Sequence, residues 1–89
     1  MSGEYDDGGP IRPDGPAIRR LRRDRGWSRR ELLEAIAEAT LRETGVRETI
    51  SPNLLEGIEE GDEPIPYSTL CRIASGLECE PVELVAEPA

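Results

Sequence analysis

Residues 28–44 read Ser28-Arg29-Arg30-Glu31 and then LLEAIAEATLRET, and the fold turns on this stretch. Ser28 and Glu31 stand three apart ahead of an apolar run. At that spacing a serine hydroxyl and a glutamate carboxylate each accept from the other's backbone N–H at a helix start. Leu32, Leu33, Ile36, Ala37 and Thr40 then recur with helical spacing. No breaker intervenes before Gly45, a residue suited to the left-handed stop of a helix. The pattern predicts a long helix from Ser28 to about residue 43, with Glu34, Glu38, Arg42 and Glu43 on its polar face.

On the N-terminal side, Asp14-Gly15-Pro16 is a turn with proline at a permitted early helix position. Ile18 and Leu21 form the apolar stripe of a first helix at about 16–25, and Trp27 closes the turn after Gly26. The preceding MSGEYDDGGPIRPDG has little apolar content and is expected to be a mobile tail over residues 1–15, leaving a single domain at 16–87. On the C-terminal side, Ser51-Pro52 opens a third helix that ends at Gly61, with Leu54, Leu55 and Ile58 inward. Tyr67, Leu70, Cys71, Ile73, Ala74 and Leu77 mark a fourth helix at about 67–76, and Pro81 begins a fifth that uses Val82, Leu84 and Val85. No segment alternates as a strand does. The expected fold is all-α, five short helices around a core of Trp27, Leu32, Ile36, Leu55, Ile58, Leu70, Ile73 and Leu77.

Charge is distributed unevenly. The 89 residues hold 19 acids and 11 arginines, with no lysine or histidine, for a net charge of -8. Eight of the arginines lie between residues 11 and 30 against two aspartates, whereas residues 31–89 carry three arginines and fourteen acids. A basic element thus sits on an acidic body, and such runs mark either an anion-facing surface or a solvated face held by ion pairs. Cys71 and Cys79 are eight apart with no CxxC pair, so neither a metal site nor a cofactor is expected, and the thiols read as reduced core side chains of a cytoplasmic protein. Lacking histidine, a nucleophile–base arrangement and a metal cluster, the chain reads as a non-enzyme. Neither a signal peptide nor an apolar membrane-spanning run is present.

Two stretches carry a resemblance. IRRLRRDRGWSRRELLEAI at 18–36 and ISPNLLEGIEEGDEPIPYSTLCRIASGLECEPVEL at 50–84 are similar to the phage repressor and Cro-type (XRE-like) helix-turn-helix domain. The resemblance runs from Ile18 to about Val85, and its most specific pieces are Ile58-Glu59-Glu60-Gly61 and the Leu70–Ala74 run. One departure stands out: Ser51 follows Ser28 by 23 residues, a longer interval than is usual in the family, through AEATLRETGVRET at 37–49. That insertion is either a tolerated surface extension or a surface built to touch DNA or a partner.

The resemblance implies a small bacterial or phage-like transcriptional regulator, with the third helix in the major groove of duplex DNA. Carried over, the base-reading candidates are Pro52, Asn53, Leu54, Glu56 and Gly57, with Glu60 at the margin. Asn53 can pair with adenine, Glu56 can accept from cytosine, and Leu54 can touch a thymine methyl. The phosphate candidates are Arg29 and Arg30 in the first turn of helix two, Arg47 before helix three, and Arg12 as a minor-groove arm on the tail. No arginine lies between Ser51 and Gly61, so weak binding per monomer is expected, and a homodimer on a two-fold operator would compensate. Glu59 is expected to pair with Arg22 or Arg30 on the surface, and Glu56 and Glu60 to stand unpaired. The alternative is an acidic protein-interaction module on the same fold, docking a basic partner. The DNA reading depends on the arginines of the first two helices forming one positive pole; guanidiniums scattered over opposite sides, or already neutralised by neighbouring carboxylates, would end the case for a repressor-like role.

Overall fold

The computed structural model describes residues 10–61 and 63–86. Four α-helices follow one another: α1 (Gly15–Asp24), α2 (Arg29–Thr44), α3 (Pro52–Gly61) and α4 (Tyr67–Leu77). No strand is formed among the described residues, so the chain is all-α, and none of their helices is long and apolar enough to cross a membrane.

Local chemistry sets the helix limits. The Asp14 carboxylate accepts from the Ala17 N–H (3.0 Å) to start α1. Ser28 Oγ accepts from the Glu31 N–H (3.2 Å) while Glu31 accepts from the Ser28 N–H (2.7 Å), the reciprocal cap that starts α2. Gly45 ends α2 at φ 85°, a left-handed conformation that costs glycine little. Ser51 Oγ accepts from the Leu54 N–H (3.0 Å) to open α3.

The inward faces of the four helices meet in one core, in which Ile18, Leu32, Ile36, Leu55, Ile58, Leu70, Ile73 and Leu77 are wholly buried. Trp27 departs from its expected core place: it sits half-buried at the edge, with the Arg25 guanidinium 5.7 Å above its ring.

Two expectations need correction. The fifth helix is a single 3-10 turn, Pro81–Leu84, so the helix count is four plus that turn. Only Leu84 of its apolar residues is buried; Val82 is exposed and Val85 half-buried. The helix cannot continue because Val85 is drawn into an extended bridge with Pro13. The same pairing corrects the tail. Ile11 and Ile65 exchange backbone hydrogen bonds (2.7 and 2.9 Å), the Asp14 N–H donates to the Leu84 carbonyl (2.7 Å), and the Ala86 N–H donates to the Arg12 carbonyl (2.9 Å). Residues 11–15 therefore belong to the folded body; residues 1–9 of the expected tail lie outside the described residues, as does residue 87 of the expected domain.

The lengthened 37–49 region is a built element. Thr40 Oγ1 accepts from the Glu48 N–H (3.0 Å) and faces the carbonyls of Ala37 and Glu48 (2.9 and 2.6 Å). Thr49 Oγ1 donates to the Leu33 carbonyl (2.8 Å), and Arg72 of α4 pairs with Glu48 (3.0 Å). The connector is thereby stapled back along α2 and delivers Ile50, itself buried, into the core.

Candidate nucleic-acid interface

On α3, successive residues turn by about 100°, so Asn53, Glu56, Gly57 and Glu60 fall on one outward stripe. Asn53, Glu56 and Glu60 are exposed, and Pro52 is exposed at the helix start. Leu54 is not on this stripe: it is half-buried and packs against the core. Three of the five base-reading candidates, Asn53, Glu56 and Gly57, are therefore brought together. The stripe is acidic as well. A Cβ placed on Gly57 would lie 2.8 Å from a carboxylate oxygen of Glu63, so the loop after α3 lays a further acid over that position.

Beneath the stripe lies an ion-pair network joining three helices. Glu59 has no exposed side-chain surface. Its oxygens accept from Arg22 Nε (2.8 Å) and NH2 (2.9 Å) on α1, and from Arg29 Nε (3.0 Å) on α2. Arg22 NH1 also donates to the Trp27 carbonyl (2.9 Å), so the guanidinium is satisfied on both edges. Burial pushes the Glu59 carboxyl up, but the hydrogen bonds and charges of Arg22 and Arg29 outweigh it and hold the group below its ordinary value.

The expected Arg22–Glu59 pair is formed, with Arg29 as the second partner where Arg30 was the alternative. Two expectations are overturned: the Glu59 pair lies out of solvent, because the α1–α3 contact buries it, and Glu60 is paired. Glu60 is not unpaired: its Oε2 accepts from Arg29 NH2 (2.5 Å) and lies 3.5 Å from Arg19 NH1. The hydrogen bond to Glu59 first, and the charges of Glu59, Glu60 and Glu56 with it, push the Arg29 guanidinium further above its ordinary value.

The four phosphate candidates are placed unequally. Arg29 touches Glu60, which sets the first turn of α2 beside the α3 stripe. Arg30, next to it, is exposed and makes no ion pair with another described residue. Arg47 is clamped by Glu34 and Glu38 of α2, both at 2.5 Å, and the hydrogen bond it donates to Glu38 leads the influences that raise its guanidinium. Arg12 is not on a free arm: it stands between the two bridged residues Ile11 and Pro13, its own carbonyl bonded to Ala86. The single positive pole is thus not formed. Arg22 is buried, Arg29 and Arg47 face carboxylates, and Arg20 and Arg23 occupy the exposed side of α1.

Local sequence signals place Arg29 and Arg30 at a helix start but are silent on the carboxylates that meet them, since Glu59 and Glu60 come from thirty residues downstream. Among the described residues no group of three or more cysteine, aspartate or glutamate side chains is arranged to hold a metal ion. Comparison with known protein families, curated proteins and solved structures returns no match for this chain.

Proposed function

We propose that this chain is a small regulator domain of the repressor helix-turn-helix type that binds duplex DNA, presenting the α3 stripe to the major groove and the first turn of α2 to the backbone. The observation that carries the reading is Arg29: its bonds to Glu59 and Glu60 hold the start of α2 against the C-terminal end of α3, the helix whose outward stripe carries Asn53. The missing positive pole ends the case for a grip by free arginines, and the reading is proposed instead on ion pairs that a phosphate can exchange. Arg29 and Arg47 are about a third to half exposed, and exposed ion pairs contribute only about 0–1 kcal/mol, so a phosphate can replace the carboxylate. Arg22, buried with Glu59, is not exchangeable. Affinity per monomer is accordingly low, and a homodimer raises it; Leu41, Val46 and Val82 are the exposed apolar side chains open to such a contact. The reading gives the chain no catalytic role and no cofactor, and places it in the cytoplasm.

The test is a salt titration of binding to mixed-sequence duplex. With three to five arginines on phosphate, log affinity falls against log salt with a slope of about -3 to -4.5, and Arg29→Glu with Arg30→Glu abolishes binding. Absence of binding at about 50 mM salt, where phosphate contacts are strongest, rejects the reading. Asn53→Ala is expected to cost about 1–3 kcal/mol of discrimination at one adenine, measured by competition between operator variants. An unchanged preference removes Asn53 from the reading set.

A second reading has its own observation. Glu56, Glu60 and Glu63 line the same stripe with no basic residue on α3, which suits a protein module that docks a basic partner. Failure of the salt titration shifts the assignment to it.

A further inference from the structure

Arg29 divides its fork between two carboxylates of different character. Nε is held by Glu59, whose side chain is out of solvent, whereas NH2 is held by Glu60, whose side chain is 51% exposed. The first contact fixes where the guanidinium sits. The second occupies the outward donor of that guanidinium, the edge a phosphate oxygen would take in a fork–phosphate contact. Arg19 NH1 points at the same Glu60 oxygen from α1. Glu60 is therefore placed as a phosphate surrogate, on the stripe that would face the duplex and against arginines from two helices.

Resting on the DNA reading above, we propose that Glu60 is an intramolecular competitor for the DNA backbone: it holds Arg29 and Arg19 in the unbound chain and must surrender them for binding. Its carboxylate is not needed to build the site, because Glu59 already anchors Arg29 from beneath. The competition sets a threshold on affinity, so only a duplex whose base contacts at Asn53 and Glu56 add enough binding energy displaces it. Nonspecific DNA, offering phosphate alone, exchanges one anion for another and gains little. Glu60 in this way lowers affinity for every duplex by a common factor, so that phosphate contacts alone leave sites unoccupied while sites with added base contacts stay bound.

The test compares three variants with the native chain, using fluorescence anisotropy on a labelled mixed-sequence duplex of about three helical turns at about 50 to 200 mM salt. Glu60→Gln is expected to raise nonspecific affinity roughly 5- to 20-fold and to steepen the salt slope by about one, since one opposing charge leaves the interface. Glu43→Gln makes the same change in net charge about 21 Å along α2 from Arg29, beyond two Debye lengths at about 150 mM salt, and is expected at that salt to change affinity less than about twofold. Adding Arg29→Ala to Glu60→Gln is expected to remove most of the gain; circular dichroism confirms that each variant remains helical. Equal gains from Glu60→Gln and Glu43→Gln, or a gain that survives loss of Arg29, overturn the proposal in favour of plain field effects. Binding by the native chain with no gain from Glu60→Gln overturns it while leaving the DNA reading standing. No binding by either removes both. Binding by Glu60→Gln alone, with none by the native chain even at about 50 mM salt, rejects the DNA reading for the native chain and the proposal that rests on it.

Discussion

Glu59→Gln is expected to lower the stability of the fold by about 3–5 kcal/mol, because it leaves the Arg22 guanidinium buried without its counter-charge. Arg22 is 7% exposed and Glu59 3%, so neither water nor a second acid can take over. In a domain of this size each kcal/mol moves the melting midpoint by about 4–8 °C, so the variant should melt at least about 12 °C below the native chain. The pH dependence gives an independent check. The Glu59 carboxyl is held below its ordinary value, so its contribution is complete above the unfolded-state pKa of about 4.3 and is lost as pH falls through the lower folded value. The native chain loses this contribution in acid and the glutamine variant has none to lose. The stability gap between them should therefore narrow below about pH 4.3. A gap of less than about 1 kcal/mol at neutral pH would show that the pair is worth no more than an exposed one.

Gly15→Ala should also destabilise, by about 1–3 kcal/mol, although replacing a helical glycine with alanine ordinarily stabilises by about 0.5–1 kcal/mol. The new Cβ would collide with the Ile58 carbonyl oxygen and lie 2.9 Å from that of Glu59. Both are backbone atoms, so relief requires α1 to move off α3. The movement would stretch the Arg22–Glu59 pair, which joins the same two helices. Gly61→Ala is the comparator: a Cβ there meets nothing within 4 Å. Differential scanning calorimetry of the two variants should give shifts of opposite sign; a stabilised Gly15→Ala would mean that the α1–α3 approach is looser than described.

The helix limits were legible because their determinants are local. Ser28 with Glu31, Gly45, and Ser51-Pro52 act within four residues, and each stands where its spacing placed it. The core was legible for the same reason, apart from Trp27. What escaped was most of what depends on chain segments far apart, the Arg22–Glu59 pair excepted. Ile11 and Pro13 are isolated apolar residues in a Gly, Pro and Asp-rich stretch, and nothing local shows that Ile65 and Val85 will pair with them. The fifth helix failed on that same pairing. In the candidate site, the resemblance named Asn53, Glu56 and Gly57, which do share one face, and also Leu54, which helical spacing had put on the buried edge and which packs against the core. Apart from the Arg22–Glu59 pair, the arginines' partners were hidden too, since a run of basic residues looks alike whether it faces solvent, a buried glutamate or DNA.

The pairing of residues 12–14 with 84–86 makes the two margins of the described body a single seam. Each side bonds the other there, through Asp14 N–H to the Leu84 carbonyl and Ala86 N–H to the Arg12 carbonyl, so trimming three residues from one margin would break both bonds and uncover Pro13 or Leu84, which are otherwise sealed. Erosion from the ends, the ordinary first step of proteolysis in a small helical domain, is thereby converted into an all-or-none event.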